Sequence, residues 1–182
     1  KMYTHVVMQL CHFGREMTPA DLGGITPVAP SAIQDRVICD YLGGKTYPLK
    51  ELAINEIERI ESQFADAAER VKISGFDGVE LHGAHGYLLA EFISPLTNKR
   101  MDGYGGDLQG RARFPLETIQ RVREKVGPDF PLIYRLSADE FVENGLTLKE
   151  SVPFAKMLEE AGVDCLNVSG SCYETCDEQV PP

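Results

Sequence analysis

Apolar and amphipathic blocks alternate along the chain, and each block carries the period of one kind of element. Residues 5–10 (His-Val-Val-Met-Gln-Leu) form a nearly continuous apolar run, which predicts a parallel strand buried on both faces. From Asn55 onward, Ile57, Ile60, Phe64, Ala67, Ala68 and Val71 fall on one helical face. Asn55 with Glu58 has capping-box spacing, and Gly75 stops the helix. A second strand spans 78–82, with Val79 and Leu81 on one side. The next helix has its core face at Leu116, Ile119, Val122 and Val126 and ends at Gly127-Pro128. A third strand, 132–136, leaves Arg135 near its carboxyl end. Thr147 and Glu150 cap a further helix with Ala155, Leu158 and Ala161 inside and Gly162 at its end. Pro153 conflicts with that assignment and predicts a late start or a bend. The fourth strand, 165–168, runs into Ser169-Gly170-Ser171.

Two long connections interrupt the pattern. Residues 11–49 and 83–111 are rich in Gly and Pro, too long for idle links, and are expected to pack over a site. The first is expected to hold at most a short helix or hairpin. Repeated β-α units with long loops at the carboxyl ends of strands predict an α/β chain forming part of a (β/α)8 barrel, with its site on that rim. The competing doubly wound sheet lacks its G-x-G-x-x-G turn, since Gly103-Tyr104-Gly105-Gly106 lies deep inside a loop. No Gly-Lys-Ser/Thr follows any glycine run, which removes a phosphate loop.

Composition narrows the partners. At 182 residues the chain suits one domain, and 43% hydrophobic with 25% charged residues is ordinary globular usage. The net charge of −10, from 18 basic and 28 acidic residues, repels nucleic acid over most of the surface. No apolar run is long enough to cross a bilayer and no leader pattern opens the chain, so a cytoplasmic location is expected. Five cysteines at irregular spacings read as reduced thiols, and the Cys172/Cys176 pair alone is a poor metal site.

The chemistry concentrates at 78–87, Gly-Val-Glu-Leu-His-Gly-Ala-His-Gly-Tyr. Two imidazoles can donate hydrogen bonds to one carbonyl oxygen while a phenol offers a proton to a carbon nearby, a set suited to reducing a polarised alkene. Each residue also has a plainer reading. His82 and His85 at this spacing match no familiar zinc pattern, with Asp77 and Glu80 the nearby carboxylates, and a structural pair is as good a reading. Tyr87 alone reads as packing, Arg135 as a rim salt bridge to Asp139 or Glu140, and Gln9 says little. His12 and Arg15 begin a loop at the same rim, within reach of a ligand.

Longer motifs add a resemblance. Gln9-Leu10-Cys11-His12-Phe13-Gly14-Arg15, the stretch His82 to Leu88, Ser94 to Arg100 with Asp102, Tyr104-Gly105-Gly106 and Arg111, and Arg135-Leu136-Ser137 occur in order from end to end. In these the chain resembles the old yellow enzyme family, and more narrowly its NADH:flavin oxidoreductase, 2,4-dienoyl-CoA reductase and 2-enoate reductase branch. The resemblance implies an FMN-containing barrel that passes hydride from NADH or NADPH to an alkene conjugated to a carbonyl. It implies that Gln9 and Arg135 contact the flavin, the latter favouring its negatively charged reduced form. It further implies that His82 and His85 bind the substrate's carbonyl oxygen and that Tyr87 is the proton donor.

Gly110 stands where relatives usually carry asparagine, and Asp107 where serine is common. By the same resemblance, residues 1–182 are the central part of one FMN-binding barrel domain, strands three to six with their helices. The strands that build the flavin phosphate site, and any iron-sulfur motif of a parent protein, are then absent from this segment. A piece with open sheet edges and an apolar barrel interior is expected to self-associate and to bind FMN weakly or not at all. Two other classes remain: a barrel-derived scaffold without catalysis, separated by flavin binding, and a metal-dependent barrel hydrolase, separated by chelator sensitivity.

Overall fold

The computed structural model describes residues 4–175. Its strands are β1 (Val7–Leu10), β2 (Val28–Ala29), β3 (Lys50–Glu51), β4 (Gly78–Gly83), β5 (Leu132–Ser137) and β6 (Cys165–Ser169). Its helices are α1 (Arg36–Tyr41), α2 (Ile54–Ile73), α3 (Leu88–Ile93), α4 (Leu108–Val126) and α5 (Leu148–Glu160). The main sheet runs β1-β4-β5-β6, all parallel, and β2 and β3 pair separately, also in parallel. Each parallel neighbour in the main sheet is reached through a helix, which is the repeating unit of a (β/α)8 barrel.

One face of the sheet carries the core. Val79 and Leu81 on β4 and Leu132, Tyr134 and Leu136 on β5 point at Ile57, Ile60 and Phe64 of α2, Phe114, Ile119 and Val122 of α4, and Phe154 and Leu158 of α5. The opposite, concave face carries Gln9, Glu80, His82, Arg135 and Asn167, so the expected apolar interior is in fact mostly polar. Apolar exposure lies at the edges instead: Val7 is 41% and Val168 63% exposed. β1 therefore departs from the doubly buried strand expected of it, because one edge has no strand neighbour and α2 covers only part of its outer side.

Several boundaries shift for local reasons. Glu56 accepts the Ala53 N–H at 3.0 Å, so α2 begins two residues before the Asn55/Glu58 box would place it. Asp107 caps α4 by accepting the Gly110 N–H at 3.0 Å, so that helix starts at Leu108 and its buried face moves to Phe114, Thr118 and Ile119, leaving Leu116 half-buried. A Cβ at Gly110 would lie 2.0 Å from the Gly105 carbonyl oxygen, so this loop demands glycine here. α5 runs unbroken through Pro153; the bond lost is to the carbonyl of Lys149, an exposed residue, so no buried acceptor is orphaned by it. Phe154, absent from the expected inner face, is its fully buried anchor.

The long connections are stapled by arginines. Arg100 donates to the Pro30 and Leu52 carbonyls at 2.9 and 2.7 Å and pairs with Asp102. Arg111 donates to the Ile93 and Gly106 carbonyls at 2.9 and 2.7 Å and pairs with Glu150. Asn98 ties the Phe92 and Tyr104 carbonyls, both at 2.7 Å. The motif residues from Ser94 to Arg111 thus hold loop shape. They also enclose α3, a helix unforeseen in a segment dominated by glycines.

Gly83 closes β4 under the ring of Tyr134, where a Cβ would sit 2.1 Å from the phenol. Tyr134 is wholly buried and packs edge-on against Phe154 at 6.0 Å, so it has nowhere to retreat. Gly83→Ala is expected to cost about 1–3 kcal/mol through overpacking, seen as a fall of roughly 5 °C in Tm. An unchanged melting curve would contradict this packing.

Candidate active site

Strand direction and register assemble the site. His82 sits one residue before the end of β4 and pairs in register with Arg135 of β5, which pairs in turn with Asn167 of β6. Gln9 lies one row lower on the same face, opposite Glu80. Its side-chain N–H2 donates to Glu80 Oε1 at 2.5 Å, while Asn167 donates to Glu80 Oε2 at 2.9 Å. One carboxylate therefore ties β1 to β6 across the concave face and leaves the Gln9 carbonyl oxygen free to accept.

Beyond β4 the chain turns through two left-handed residues, His85 (φ 61) and Gly86 (φ 84). The turn folds the segment back so that both imidazoles and the phenol meet. The His82 and His85 ring centres lie 5.1 Å apart, and those of His82 and Tyr87 4.9 Å, each edge to face. Phe13 backs Tyr87 at 5.4 Å. The His85 N–H donates to Ser137 Oγ at 3.0 Å, and its Nε2 lies 2.7 Å from Ser169 Oγ. Tyr87 is the N-cap residue of α3, and the Leu88 N–H bonds to the His12 carbonyl at 3.0 Å.

The electrostatics keep both imidazoles neutral. Burial, then the neighbouring His85 and Arg135, push His82 down to about 4, and burial with Arg135 lowers His85. Burial raises the Tyr87 phenol, helped by Cys11 and Glu16, so it holds its proton. Buried His82 Nδ1 and Arg135 Nε have no hydrogen-bond partner among the described residues. Arg135 pairs with neither Asp139 nor Glu140; Glu140 is taken by the Ser94 hydroxyl and the Leu146 N–H, both at 2.6 Å. Buried orphan donors beside a cation fit a ligand rich in acceptor oxygens and nitrogens, as a flavin ring and a carbonyl substrate are.

Gln9, His82, His85, Tyr87 and Arg135 thus belong to one concave site. His12 and Arg15 do not. His12 Nδ1 accepts the Gly14 N–H at 3.1 Å and the ring lines an outer groove with Ile60, Gln63 and Phe64 of α2. Arg15 is buried among Glu16, Asp35 and Glu174, while its backbone N–H donates to Glu91 at 2.8 Å. Sequence reasoning missed Glu80, Ser137, Asn167 and Ser169, although period-two alternation from Arg135 and along β6 would have placed them on the same face. Among the described residues no three His, Cys, Asp or Glu side chains are grouped to hold a metal, and no helix is long and apolar enough to cross a membrane. Cys172 is buried, its thiol pushed up to about 12 by burial; Cys176 lies outside the described residues.

A parallel sheet with these groups at its strand tips is part of a (β/α) barrel, a fold that places its sites on that rim. The model of the NADH:flavin oxidoreductase / NADH oxidase family matches residues 1–181, and the chain belongs to that family. An NADH oxidase of Thermoanaerobacter brockii is 53% identical over 177 residues, which are 97% of this chain and 26% of that protein. An NADPH dehydrogenase of a Geobacillus species is 42% identical over 175 residues, 96% of this chain and 48% of that protein. Among solved structures, a 2-naphthoyl-CoA reductase complex with 2-naphthoyl-CoA superposes at TM-score 0.82 and 33% identity, covering 92% of this chain and 26% of that one. The old yellow enzyme homologue of Zymomonas mobilis superposes at 0.77 and 32% identity, covering 91% and 48%. The chain therefore spans a quarter to a half of the length of these relatives.

Proposed function

We propose that a protein carrying this chain is an FMN-dependent ene-reductase that uses NADH or NADPH to reduce an alkene conjugated to a carbonyl, and that residues 1–182 are the central part of its barrel. The observation behind this reading is the convergence of neutral His82 and His85 with protonated Tyr87, on the face that also presents Arg135 and Gln9. Bound FMN supplies the hydride chemistry. Arg135 supplies a cation for the flavin's negative edge, and the carbonyl oxygen of Gln9 accepts from it. His82 and His85 donate to the substrate's carbonyl oxygen and stabilise the charge that develops there. The Tyr87 phenol gives its proton to the α-carbon. Enones, enoates and enoyl thioesters all present the required oxygen.

The isolated chain is proposed to self-associate through the edges at β1 and β6, with little affinity for FMN. The reading is tested with a flavin-loaded protein carrying this segment. NADH or NADPH should bleach its visible flavin band without oxygen, and a cyclic enone should restore it. A colourless protein, or one whose bleached band ignores every enone and enoate offered, defeats the reading. Sizing of the isolated chain should show oligomers, and a monomer with stoichiometric flavin overturns the self-association proposal. Metal dependence of any activity would favour the hydrolase alternative.

A further inference from the structure

The role given to His85 rests on the reading above and carries a chemical condition. A neutral imidazole has one N–H to offer, and its other nitrogen is an acceptor that repels a carbonyl oxygen. Since His85 is kept neutral, what faces each ring nitrogen decides which of them is the donor. Nε2 faces Ser169 Oγ at 2.7 Å.

The surroundings hold both partners still. Ser137 accepts the backbone N–H of His85, not a ring N–H, at 3.0 Å and spends its own proton on the Ser171 carbonyl at 2.7 Å, so its donor and acceptor roles are settled. Ser169 is the last residue of β6, in register with Ser137, and its carbonyl accepts the Ala138 N–H at 2.9 Å. Its side chain points to the same face as Asn167 and Arg135. If the ring donated to Ser169, Nδ1 would be left as a lone pair and His85 would have no proton for substrate.

We propose that Ser169 is a positioning residue: its hydroxyl donates to His85 Nε2, keeps the imidazole proton on Nδ1, and so makes Nδ1–H the donor offered to the substrate's carbonyl oxygen. Ser169 itself touches no reacting atom. A carbonyl-bearing substrate is then recognised by a serine on β6 acting through an imidazole from the β4 turn.

Nitrogen-15 spectra of the histidine-labelled protein test this directly, with the His85 signals identified by their loss in His85→Gln. The expected wild-type spectrum shows His85 protonated at Nδ1. Ser169→Ala should move the proton largely to Nε2, and Ser169→Thr, which keeps a hydroxyl, should hold it on Nδ1. In the flavin-loaded enzyme Ser169→Ala should lower kcat/KM for an enone by roughly 10-fold to 100-fold, with Thr restoring most of it. An Nε2-protonated His85 in the wild type overturns the proposal, and so does a Ser169→Ala protein with unchanged tautomer or unchanged kcat/KM. The spectra need neither flavin nor substrate, so an enzyme that ignores enones would sink the functional reading while the tautomer assignment is judged separately.

Discussion

Replacing His82 with alanine in the flavin-loaded enzyme is expected to lower kcat/KM for an enone by about 10²–10³-fold, the usual cost of removing one preorganised donor to a developing oxyanion. The size of the effect follows from the site. His82 is 6% exposed and its Nδ1 is buried without a partner among the described residues, so the ring is already desolvated before substrate arrives. Its pKa of about 4 means the donor is a neutral N–H throughout the neutral range. Activity should therefore not decline between pH 6 and 8 through loss of an imidazolium, as it would for a histidine titrating near its ordinary value, roughly 6.5. The measurement is steady-state kinetics of both proteins across that range. A His82→Ala enzyme within a few-fold of wild type would remove this residue from the chemistry.

The second large effect concerns stability. Arg15 is 1% exposed and compensates Glu16, Asp35 and Glu174 beside fully buried Glu91. Burial and the neighbouring Asp35 push Glu16 up to about 10, and burial pushes Glu91 up to about 8 against the pull of Arg15. Both folded values exceed the ordinary 4.5 of an unfolded chain. The native state therefore keeps protons that the unfolded state has lost, and stability falls as pH rises from 4.5 through those values. Arg15→Met removes the only cation of the cluster among the described residues. At pH 8 it is expected to cost about 3–5 kcal/mol, a Tm loss on the order of 10 °C. At pH 5 the deficit should be only slightly smaller, because Glu16 is neutral at both values and Glu91 merely begins to ionise near pH 8. An Arg15→Met protein as stable as the wild type at pH 8 would show that the carboxyls are not what Arg15 compensates.

Legibility from the sequence was uneven for physical reasons. The helix over Ile57 to Val71 was legible because buried Ile57, Ile60, Phe64, Ala68 and Val71 repeat with the helical period. The strand ends were legible within a residue or two because Gly75 and Gly127 break the preceding helices. α3 was not, since six residues between glycines and a proline carry too little periodicity to register, and its place depends on the Leu88 N–H meeting the His12 carbonyl from the distant loop after β1. Arg15 misled for a related reason: its guanidinium turns into a carboxylate cluster drawn from four separate segments. Ser169 escaped notice because nothing local links it to His85, 84 residues away.

The order and type of the chain's main elements, its parallel sheet and the residue types available for chemistry were determined by periodicity and spacing alone, because those are local properties of the backbone. Tertiary structure decided what each polar group is paired with. Through-space contacts among β1, β4, β5, β6 and the turn after β4 left His82 and Arg135 with nitrogens unpaired among the described residues, gave Glu80 two partners and set Ser169 against His85. Burial then shifted the pKa values, and solvent exclusion depends on the packed surroundings of a side chain rather than on its neighbours along the chain.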